Sequence, residues 1–327
     1  MITAKFHGSG RIELVDTDRP APRRDEIMLR VEGCALCGSD KRLLENGAAV
    51  TPGHEIVGTV VDANGQEAPA VGQRVVVYIP LFCGRCEFCT PGLTNRCTFM
   101  RGLVGWQEPG GFQEYLTVPA GNALPVPEGI EPQLAVLALD TVGTSAHGLR
   151  MTSKVLGGAP RTAAVIGCGP LGLGSAVIAE ALGVGKVSVA DVQPARLQAA
   201  ADLGFDVLDD KIKHDLVIEA SGSPAARSRA LDLVKPGGVI LMLGEGSEPW
   251  VLPATPAWRR LEAVYLRSFY FPLTEVEDNW KLLEQNAARL ERIIDRTLPV
   301  DDIEDTFHDF VQGTCVKPFV TMSTAAA

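Results

Sequence analysis

The segment from residue 161 to 191 constrains the fold more than any other part of the chain. A short apolar run, Ala163 to Ile166, ends at a glycine and predicts a buried strand. The glycines at Gly167, Gly169 and Gly172 follow with the spacing G-x-G-x-x-G. In such a turn the first glycine allows tight bending, the second lets a pyrophosphate approach the backbone, and the third lets a helix pack on the strand. This pattern predicts a dinucleotide-binding α/β unit.

The helix after the turn is predicted from Leu171 to Leu182. Pro170 suits the first helical turn, where no N–H is needed, and Gly183 suits the C-cap. The helix N-terminus, including Pro170 and Leu171, presents unpaired N–H groups and a positive dipole end to an anion. A glycine-rich turn without a ligand is the alternative for the motif alone.

An acidic residue closes the predicted nucleotide motif. A second strand, Lys186 to Ala190, ends at Asp191, whose carboxylate would accept hydrogen bonds from the adenosine ribose. The same charge would repel a 2′-phosphate, so NAD is favoured over NADP. Arg196 would act in the opposite sense if it reached that phosphate, and a solvated helix residue is the alternative.

Length and charge limit the class of protein. The chain has 327 residues, which suggests two domains, and a net charge of −10, which argues against nucleic acid and anionic membranes as partners. No apolar run approaches a membrane-spanning length, and the N-terminus lacks a hydrophobic signal region. The eight cysteines are therefore expected to be thiols or metal ligands rather than disulfides, in a cytoplasmic protein.

The pattern of predicted elements changes along the chain. Residues 1 to about 135 are rich in Gly, Pro and short β-type runs, with strands predicted at 27–31, 55–61 and 74–78. From about 141 to 270 strands and helices alternate. The elements predicted after Asp191 are a helix at 195–203, strands at 205–208 and 216–220, a helix at 224–233, a turn at 236–238, strands at 239–243 and 261–271, helical spacing at 272–294, a helix at 303–311 and a strand at 316–320.

Two further glycines follow predicted strands. Gly222 and Gly244 lie at strand ends, where an α/β sheet receives its ligand, although ordinary turn glycines are the alternative. Trp106 and Trp250 are candidates for a pocket wall, with core packing as the alternative. His147 and His308 are interpreted as structural or solvated residues rather than ligands.

Four cysteines are clustered in one loop. Cys83, Cys86 and Cys89 are each separated by two residues, and Cys97 follows seven residues later. Such a set can surround one tetrahedral zinc, and because all four positions are thiolates, no position remains for substrate. The pattern predicts a structural zinc site. An iron–sulfur cluster and four unligated cysteines are the alternatives.

A second set of possible ligands is spread over three segments. Cys37 and His54 alone are ambiguous, since a buried thiol and a surface histidine would give the same residues. Asp140 is a third candidate, at the start of the segment that leads into the nucleotide-binding half. Three protein ligands plus an open position is the composition of a catalytic zinc site.

With these motifs, the chain resembles the zinc-dependent medium-chain alcohol and polyol dehydrogenases over nearly its whole length. The resemblance implies a Rossmann doubly wound parallel sheet at 142–270 and a GroES-like β-rich catalytic domain, with the zinc lobe, at 1–141 and 271–327. Asp140 followed by His147 is similar to the polyol, sugar and threonine dehydrogenase branch. The motifs that carry the resemblance are Gly53-His54-Glu55, Cys37-Gly-Ser-Asp40, the four-cysteine lobe, the Gly167–Gly172 turn and Glu219-Ala-Ser-Gly222.

The resemblance implies roles for individual residues. Cys37, His54 and Asp140 would hold the catalytic zinc, with Glu55 beside them as an alternate ligand. Ser39 would pass the substrate proton. The remaining assignments are Asp40 as the acid that orients His54, and Thr144 and Lys317 near the nicotinamide and the pyrophosphate.

The chain departs from the family pattern at two places. Arg42 stands where simple alcohol dehydrogenases often have a relay histidine, so the proton route beyond Ser39 is open. Only residues 209–214 join the third and fourth strands, which predicts that one helix is missing from that face of the sheet.

The function implied by this resemblance is hydride transfer between a small secondary alcohol, such as a polyol or sugar, and NAD. Threonine-type and simple alcohol dehydrogenases are the alternatives, followed by a non-catalytic nucleotide-binding relative. The family usually forms homodimers or homotetramers through the nucleotide domain, and the same assembly is expected here.

Overall fold

The computed structural model describes residues 1–67, 69–252 and 254–322. The chain splits into two compact units. The first contains Met1–Leu139, Pro272–Thr274 and the segment from Ile294 onward; the second contains Asp140–Phe271 and Glu275–Ile293. None of the helices in the described ranges is both long and apolar enough to cross a membrane.

The first unit is β-rich, as its short apolar runs predicted. A two-stranded sheet pairs β1 (Ile2–Gly8) with β2 (Arg11–Asp16). The strands of a larger, seven-stranded sheet are β3 (Glu26–Ala35), β4 (Glu55–Asp62), β5 (Arg74–Val77), β6 (Tyr115–Pro119), β7 (Ala123–Pro125), β14 (Arg296–Pro299) and β15 (Pro318–Thr321). Their order is β14-β15-β3-β4-β5-β7, with β6 also paired to β3. The helices are α1 (Lys41–Asn46), α2 (Pro132–Ala135) and α10 (Ile303–Gln312).

The second unit is a six-stranded parallel sheet. Its strands are β8 (Thr162–Ile166), β9 (Lys186–Ala190), β10 (Asp206–Val207), β11 (His214–Glu219), β12 (Val234–Met242) and β13 (Val264–Arg267). Their order, β10-β9-β8-β11-β12-β13, reverses direction between β8 and β11, which is the topological switch point of a doubly wound fold. The helices are α3 (Ser145–Leu156), α4 (Pro170–Ala181), α5 (Pro194–Asp202), α6 (Pro224–Leu233), α7 (Pro256–Leu261), α8 (Val276–Gln285) and α9 (Ala287–Leu290).

The core of this sheet follows from its apolar strands. Buried side chains from β8, β11 and β12, including Ala164, Val217 and Ile240, pack together with Ala230 and Leu233 of α6. The helix predicted to be missing between β10 and β11 is indeed absent, since residues 208–213, all of them described, contain no helix. The six-residue link is too short to cross the sheet with a helix.

The segment predicted as a turn at 236–238 is instead part of strand β12. Val234 pairs with His214 and Val239 with Leu216, so the register shifts between the two pairs. A step of two residues on β11 is therefore matched by a step of five residues on β12, and this irregularity accommodates Pro236 and both glycines within one strand. The predicted strand at 261–271 is also shorter, because α7 ends at Leu261 and only Val264–Arg267 pairs with β12.

Residues 275–293 cluster with the second unit, whereas the resemblance implied that 271–327 belong to the catalytic domain. Glu275 lies 2.8 Å from Nδ1 of His147 and also pairs with Arg150, both on α3. Arg289 pairs with Glu180 of α4 at 2.7 Å. These ion pairs explain why the segment clusters with the nucleotide unit. Residues 323–327 of the predicted first domain lie outside the described residues.

Candidate metal centres and nucleotide-binding turn

Cys37 is positioned by a buried carboxylate three residues later. Strand β3 ends at Ala35, and a short 3-10 turn follows at Gly38–Asp40. Within that turn the N–H of Cys37 donates to Oδ2 of Asp40 at 3.0 Å, and Asp40 is fully buried. The carboxylate therefore holds the backbone of Cys37 in one conformation.

The same carboxylate orients His54. Nδ1 of His54 lies 3.1 Å from Oδ1 of Asp40, which leaves Nε2 as the nitrogen available to a metal. Gly53, just before it, has φ +97°, and a Cβ atom there would lie 2.8 Å from the Cys34 sulfur. Only glycine fits that close approach, and His54 thereby enters strand β4 in a fixed direction. The orienting role that the resemblance implied for Asp40 agrees with this geometry.

Four possible ligands come together in one group. One ligand atom from each of Cys37, His54, Glu55 and Asp140 lies within 4.8 Å of the others. Asp140 is the first residue after the boundary with the first unit and belongs to a π-helical turn, Leu139–Thr144. Thr144 donates its hydroxyl to Oδ1 of Asp140 at 2.9 Å, so Thr144, expected near the nicotinamide, orients this carboxylate.

The charges of this group favour a bound cation. Burial lowers the pKa of His54, but the negative charges of Asp40 and Cys37 outweigh it and raise that pKa well above its usual value. A metal ion would replace the proton that these charges attract to the imidazole. By contrast, burial, with the charges of Asp40 and Glu55, raises the pKa of Cys34 well above normal, so Cys34 remains a thiol and not a ligand.

Lys317, which the resemblance implied near the pyrophosphate, forms an ion pair with a residue of the metal-binding group. Its ammonium is fully buried and lies 2.6 Å from Oε1 of Glu55. It also donates to the carbonyl of Leu36 at 3.4 Å. A buried charge needs such a partner. Because Lys317 balances Glu55, the two remaining anionic ligands match the charge of Zn²⁺, and the donor set fits zinc.

Ser39 lies next to the metal ligands. Its Oγ is 3.4 Å from Sγ of Cys37, and its side chain is half-buried. A hydroxyl at this distance can contact a group bound at the same metal. The geometry is therefore compatible with the proton-passing role that the resemblance implied.

The four-cysteine loop forms the second candidate metal centre. Sulfur atoms of Cys83, Cys86, Cys89 and Cys97 all lie within 4.8 Å of one another. The Cys83 and Cys89 sulfurs are 3.9 Å apart, close to the separation of about 3.8 Å expected around tetrahedral zinc with Zn–S bonds of about 2.3 Å. No disulfide is formed, since all eight cysteines of the chain are free.

Opposite pKa shifts within the loop fit a bound cation. Burial raises the pKa of Cys86, but backbone N–H groups of Cys89 and Thr98 outweigh it and lower that pKa to about 5. Burial, with the neighbouring thiols Cys86 and Cys97, raises the pKa of Cys89 to about 12. A positive ion among the sulfurs would favour the thiolate of Cys89, as a four-thiolate metal site needs.

The glycine turn has the geometry that its spacing predicted. Gly167 has φ +100°, and a Cβ atom on Gly172 would lie only 1.7 Å from the carbonyl oxygen of Gly167. Around Gly169, in contrast, an added Cβ would meet nothing within 4 Å. Helix α4 begins at Pro170 with Gly169 as its N-cap, and no side chain caps the helix. The first turn, with Leu171, thus faces open space that suits an anion.

Gly222 and Gly244 follow β11 and β12 and are more than ordinary turn glycines. A Cβ atom on Gly222, at φ +74°, would lie 2.0 Å from the carbonyl oxygen of Glu245. A Cβ atom on Gly244 would lie 2.2 Å from the nitrogen of Gly222. The two strand ends therefore approach each other at backbone distance beside the turn, where Ser221 contacts Gly167.

Comparisons with known proteins agree with this geometry. The alcohol dehydrogenase GroES-like domain model matches residues 23–128, and the zinc-binding dehydrogenase model matches residues 170–285. The L-threonine 3-dehydrogenase of Xanthomonas oryzae pv. oryzae is 30% identical over 335 residues, which cover 91% of this chain and 92% of that protein. The chain belongs to the zinc-dependent medium-chain dehydrogenase family.

Solved structures share the fold of this dehydrogenase. An alcohol dehydrogenase from Thermus sp. ATN1 superposes with a TM-score of 0.89 at 25% identity, over 99% of this chain and 100% of that one. An alcohol dehydrogenase from E. coli CFT073, complexed with NADH, gives a TM-score of 0.86 at 26% identity, over 98% and 99%. The predicted fold class, family and enzyme class are confirmed, and a zinc-binding family favours zinc over an iron–sulfur cluster in the cysteine loop.

Asp191 is bonded to the glycine turn of the dehydrogenase. Its Oδ2 accepts from the N–H of Cys168 at 2.6 Å and its Oδ1 from the N–H of Gln193 at 2.8 Å. Burial, with the charge of Asp191, raises the pKa of Cys168 to about 12, while Arg196 acts in the opposite sense. Arg196 is half-buried on α5, so it is not the freely solvated residue of the alternative interpretation.

Residues outside the predicted site are also explained. His147 pairs with Glu275 and His308 is exposed, as the structural interpretation expected. Trp250 packs on Tyr265 with ring centroids 4.5 Å apart, which supports its core alternative. The Trp106 ring, however, lies 5.7 Å from the His54 ring and so borders the metal ligands. A local sequence pattern gives no signal for that contact.

Replacing Cys97 by serine is expected to destabilise the dehydrogenase by about 2 kcal/mol and lower its Tm by about 6 °C, because the lobe loses a thiolate ligand. Calorimetry and metal analysis should show this loss together with a fall from two zinc ions per chain to one. Cys315→Ser is the matched control, since Cys315 is a buried thiol outside both metal groups. Undiminished stability of the Cys97 variant, prepared without metal, would contradict a structural lobe.

Proposed function

We propose that this dehydrogenase oxidises a secondary alcohol, such as a polyol, a sugar or a related hydroxy compound, with NAD. The observation that carries the proposal is the grouping of Cys37, His54 and Asp140 ligand atoms within 4.8 Å. An acid as the third ligand is the feature that the resemblance associates with the polyol, sugar and threonine branch. The open space at Gly169 supports nucleotide binding in the second unit.

The protein's own residues prepare the alcohol for hydride loss. A zinc ion at this group would act as a Lewis acid on the alcohol oxygen, and NAD would supply the hydride acceptor. Asp40 lies next to Nδ1 of His54, so Nε2 points away from Asp40. The hydroxyl of Thr144 orients the carboxylate of Asp140. Ser39, at 3.4 Å from the Cys37 sulfur, accepts the alcohol proton while it gives its own hydroxyl proton to water. Arg42 cannot continue the relay, because a guanidinium is not deprotonated in proteins.

A specific observation favours a second candidate, oxidation of an amino-acid β-hydroxyl. The similar Xanthomonas protein is an L-threonine 3-dehydrogenase. The complete ligand group, together with Ser39, argues against a non-catalytic relative, because such proteins typically lack one or more ligands.

A substrate screen tests the proposal. The zinc-loaded enzyme would be assayed for NADH and NADPH formation with polyols, sugars, L-threonine and simple alcohols, and zinc would be measured on the same sample. We expect NADH formation with at least one polyhydroxy or β-hydroxy compound and two zinc ions per chain. Failure of every alcohol with a fully zinc-loaded protein would refute the proposed function.

Asp191 and Arg196 should shift cofactor preference in opposite directions. Asp191→Ala removes the repulsion of a 2′-phosphate, so the ratio of kcat/KM for NAD over NADP should fall about 10- to 100-fold. Arg196→Ala removes an attractive charge, so the same ratio should stay equal or rise. Initial rates with both cofactors measure these ratios. A fall in the ratio for the Arg196 variant would show that the two residues do not act through the phosphate.

A further inference from the structure

A buried carboxylate ends strand β11, at the edge of the sheet where the glycine turn lies. Glu219 is the last residue of β11 and is fully buried. Its Oε1 accepts three hydrogen bonds, from the N–H of Ser221 at 2.9 Å, the hydroxyl of Ser221 at 2.7 Å and the N–H of Gly222 at 2.8 Å. These lengths are typical of charge-assisted hydrogen bonds. One oxygen of the carboxylate therefore holds the residues that follow it in a tight turn.

Glu219 also joins this turn to the end of strand β12. Its carbonyl accepts from the N–H of Leu243 at 2.9 Å and from the N–H of Gly244 at 2.8 Å. A Cβ atom on Gly244 would lie 2.8 Å from Oε2 of Glu219 and 2.2 Å from the nitrogen of Gly222. Oε2 has no hydrogen-bond partner among the described residues. The acid therefore packs against bare backbone at the end of β12, and only its Oε1 is used for hydrogen bonds.

The first glycine of the glycine turn rests on Ser221. A Cβ atom on Gly167 would lie 2.9 Å from the nitrogen of Ser221 and 3.0 Å from its Cβ. One residue earlier, the N–H of Ala220 donates to the carbonyl of Ile166 at 2.9 Å. The position of the Gly167 backbone therefore depends on the position of Ser221, and Glu219 is the group that holds Ser221.

Hydrogen bonds continue from the acid to helix α6. The hydroxyl oxygens of Ser221 and Ser223 are 3.2 Å apart, and the N–H of Ser223 donates to Oγ of Ser221 at 3.1 Å. Ser223 is the N-cap of α6, and its hydroxyl accepts from the N–H of Ala226 at 3.2 Å. The connection from β11 to α6 is therefore ordered by side chains that begin at Glu219.

The other acid of β11 has partners of a different kind. Asp215, near the opposite end of the strand, accepts from Nζ of Lys235 at 2.8 Å and from the N–H of Thr162 at 3.1 Å. An acid that only stabilises the sheet can be paired with a cation in this way. The bonds of the Glu219 carboxylate go instead to the loop beside the glycine turn, which indicates that it shapes this loop.

We propose that Glu219 is a positioning residue for the cofactor: its carboxylate holds Ser221 and Gly222 in the conformation that seats the glycine turn for the pyrophosphate of NAD. The inference rests on the proposed use of NAD. Because Glu219 is fully buried, it acts through Ser221 and does not touch the cofactor itself. Backbone N–H groups bind a phosphate only when the chain holds them in place, so loss of the support reduces affinity.

Glu219→Ala tests the inference directly. The variant removes the acceptor of three hydrogen bonds, so the Kd for NADH should rise about 10- to 100-fold. The KM for NAD should rise by a similar factor, while kcat at saturating NAD and the KM for the alcohol should change less than about threefold. Fluorescence titration with NADH and initial rates of the zinc-loaded enzyme measure these values.

Three further variants separate positioning from stability. Glu219→Gln keeps an oxygen that can accept the same three bonds, so most of the NADH affinity should return. Asp215→Ala is the matched control on the same strand and should lower the Tm without changing NADH affinity, because its partners lie away from the glycine turn. Ser221→Ala removes only the hydroxyl, and its Kd for NADH should rise about three- to tenfold. If Glu219→Ala does not fold, Ser221→Ala decides, and a wild-type Kd would overturn the proposal.

Hydrogen exchange adds a readout that needs neither cofactor nor turnover. In the zinc-loaded protein without nucleotide, the amides of residues 167–172 and 220–223 should exchange faster in Glu219→Ala than in the wild type. Peptides of the first unit should keep their wild-type rates. Unchanged exchange at 167–172 would show that the glycine turn does not depend on Glu219, and the proposal would be wrong.

The outcomes separate this inference from the proposed function. If Glu219→Ala has a lower Tm but the wild-type Kd for NADH, the acid is only structural, and the dehydrogenase function stands. If the wild-type enzyme binds NADH but oxidises no alcohol, the proposed function fails, and the titration still decides the role of Glu219. If the wild-type protein binds neither NADH nor NADPH, both proposals fail together.

Discussion

Replacing Cys37 by alanine will abolish alcohol oxidation and remove one of two zinc ions per chain. The variant loses the thiolate from a group whose members lie within 4.8 Å of one another, and the remaining ligands cannot hold zinc in the same geometry. Lewis-acid activation supplies several kcal/mol of transition-state stabilisation, and about 4 kcal/mol corresponds to roughly 10³-fold in rate. We therefore expect kcat/KM to fall at least about 10³-fold.

Three measurements separate this effect from general damage. Metal analysis should find one zinc ion, NADH titration should give the wild-type affinity, and thermal unfolding should show the cysteine lobe intact. Cys34→Ala is the matched control, because this buried thiol lies three residues earlier and its raised pKa keeps it protonated. It should keep both zinc ions and most of the activity, although it will lose some stability.

Asp140 is tested in the same experiment. Asp140→Ala should reproduce the loss of zinc and turnover, because its carboxylate is held in the ligand group by Thr144 at 2.9 Å. Unchanged turnover in this variant would remove Asp140 from the site and, with it, the argument for the polyol, sugar and threonine branch. Two zinc ions in the Cys37 variant would likewise contradict the assignment of that residue.

Local spacing was sufficient to predict the parts of the site whose geometry is local. The turn from Gly167 to Gly172 and the loop from Cys83 to Cys97 are short, so their spacing already limits which backbone conformations and which sulfur positions are possible. The absence of a helix at 208–213 was predictable for the same reason, since six residues cannot form a crossover helix. In such short segments, residues that are close in sequence are also close in space.

The spacing of residues along the chain could not predict contacts between distant segments. Lys317 is separated from Glu55 by 262 positions, and only the folded first unit shows that its ammonium neutralises that carboxylate. The position of Trp106 beside His54 depends on the close approach of Gly105 to Gly53. Family resemblance did not indicate that Lys317 pairs with Glu55 either, because resemblance transfers a position in the chain and not the partner of a side chain.

The clustering of residues 275–293 with the second unit also depends on contacts between distant segments. Helix α8 is amphipathic, and its buried face, with Trp280 and Leu283, predicts that it packs on something without indicating what. The contacts that join the segment to the second unit include ion pairs on either side of α8: Glu275 pairs with His147 and Arg150, and Arg289 with Glu180. Opposite charges more than a hundred residues apart leave no periodic pattern in a sequence.

Replacing Gly172 by alanine will weaken NAD binding by about 100-fold or more and destabilise the second unit by about 3 kcal/mol. The added Cβ would lie 1.7 Å from the carbonyl oxygen of Gly167 and 2.9 Å from its carbon. Both contacts are with backbone, so no side-chain rotation relieves them, and α4 must move away from the end of β8. Overpacking of this kind costs about 1–3 kcal/mol and displaces the N–H groups that would face the pyrophosphate.

Gly169→Ala provides the matched comparison within the same turn. Its φ is −72°, and an added Cβ would meet nothing within 4 Å, so the folded protein should be as stable as the wild type. The methyl group nevertheless enters the space that a pyrophosphate would occupy, and NADH affinity should fall at least tenfold. Thermal unfolding and NADH titration therefore distinguish the two variants. Gly172→Ala should lose both stability and NADH affinity, whereas Gly169→Ala should lose NADH affinity alone. Wild-type NADH affinity in Gly169→Ala would show that the nucleotide does not approach this backbone, and the assignment of the turn would be wrong.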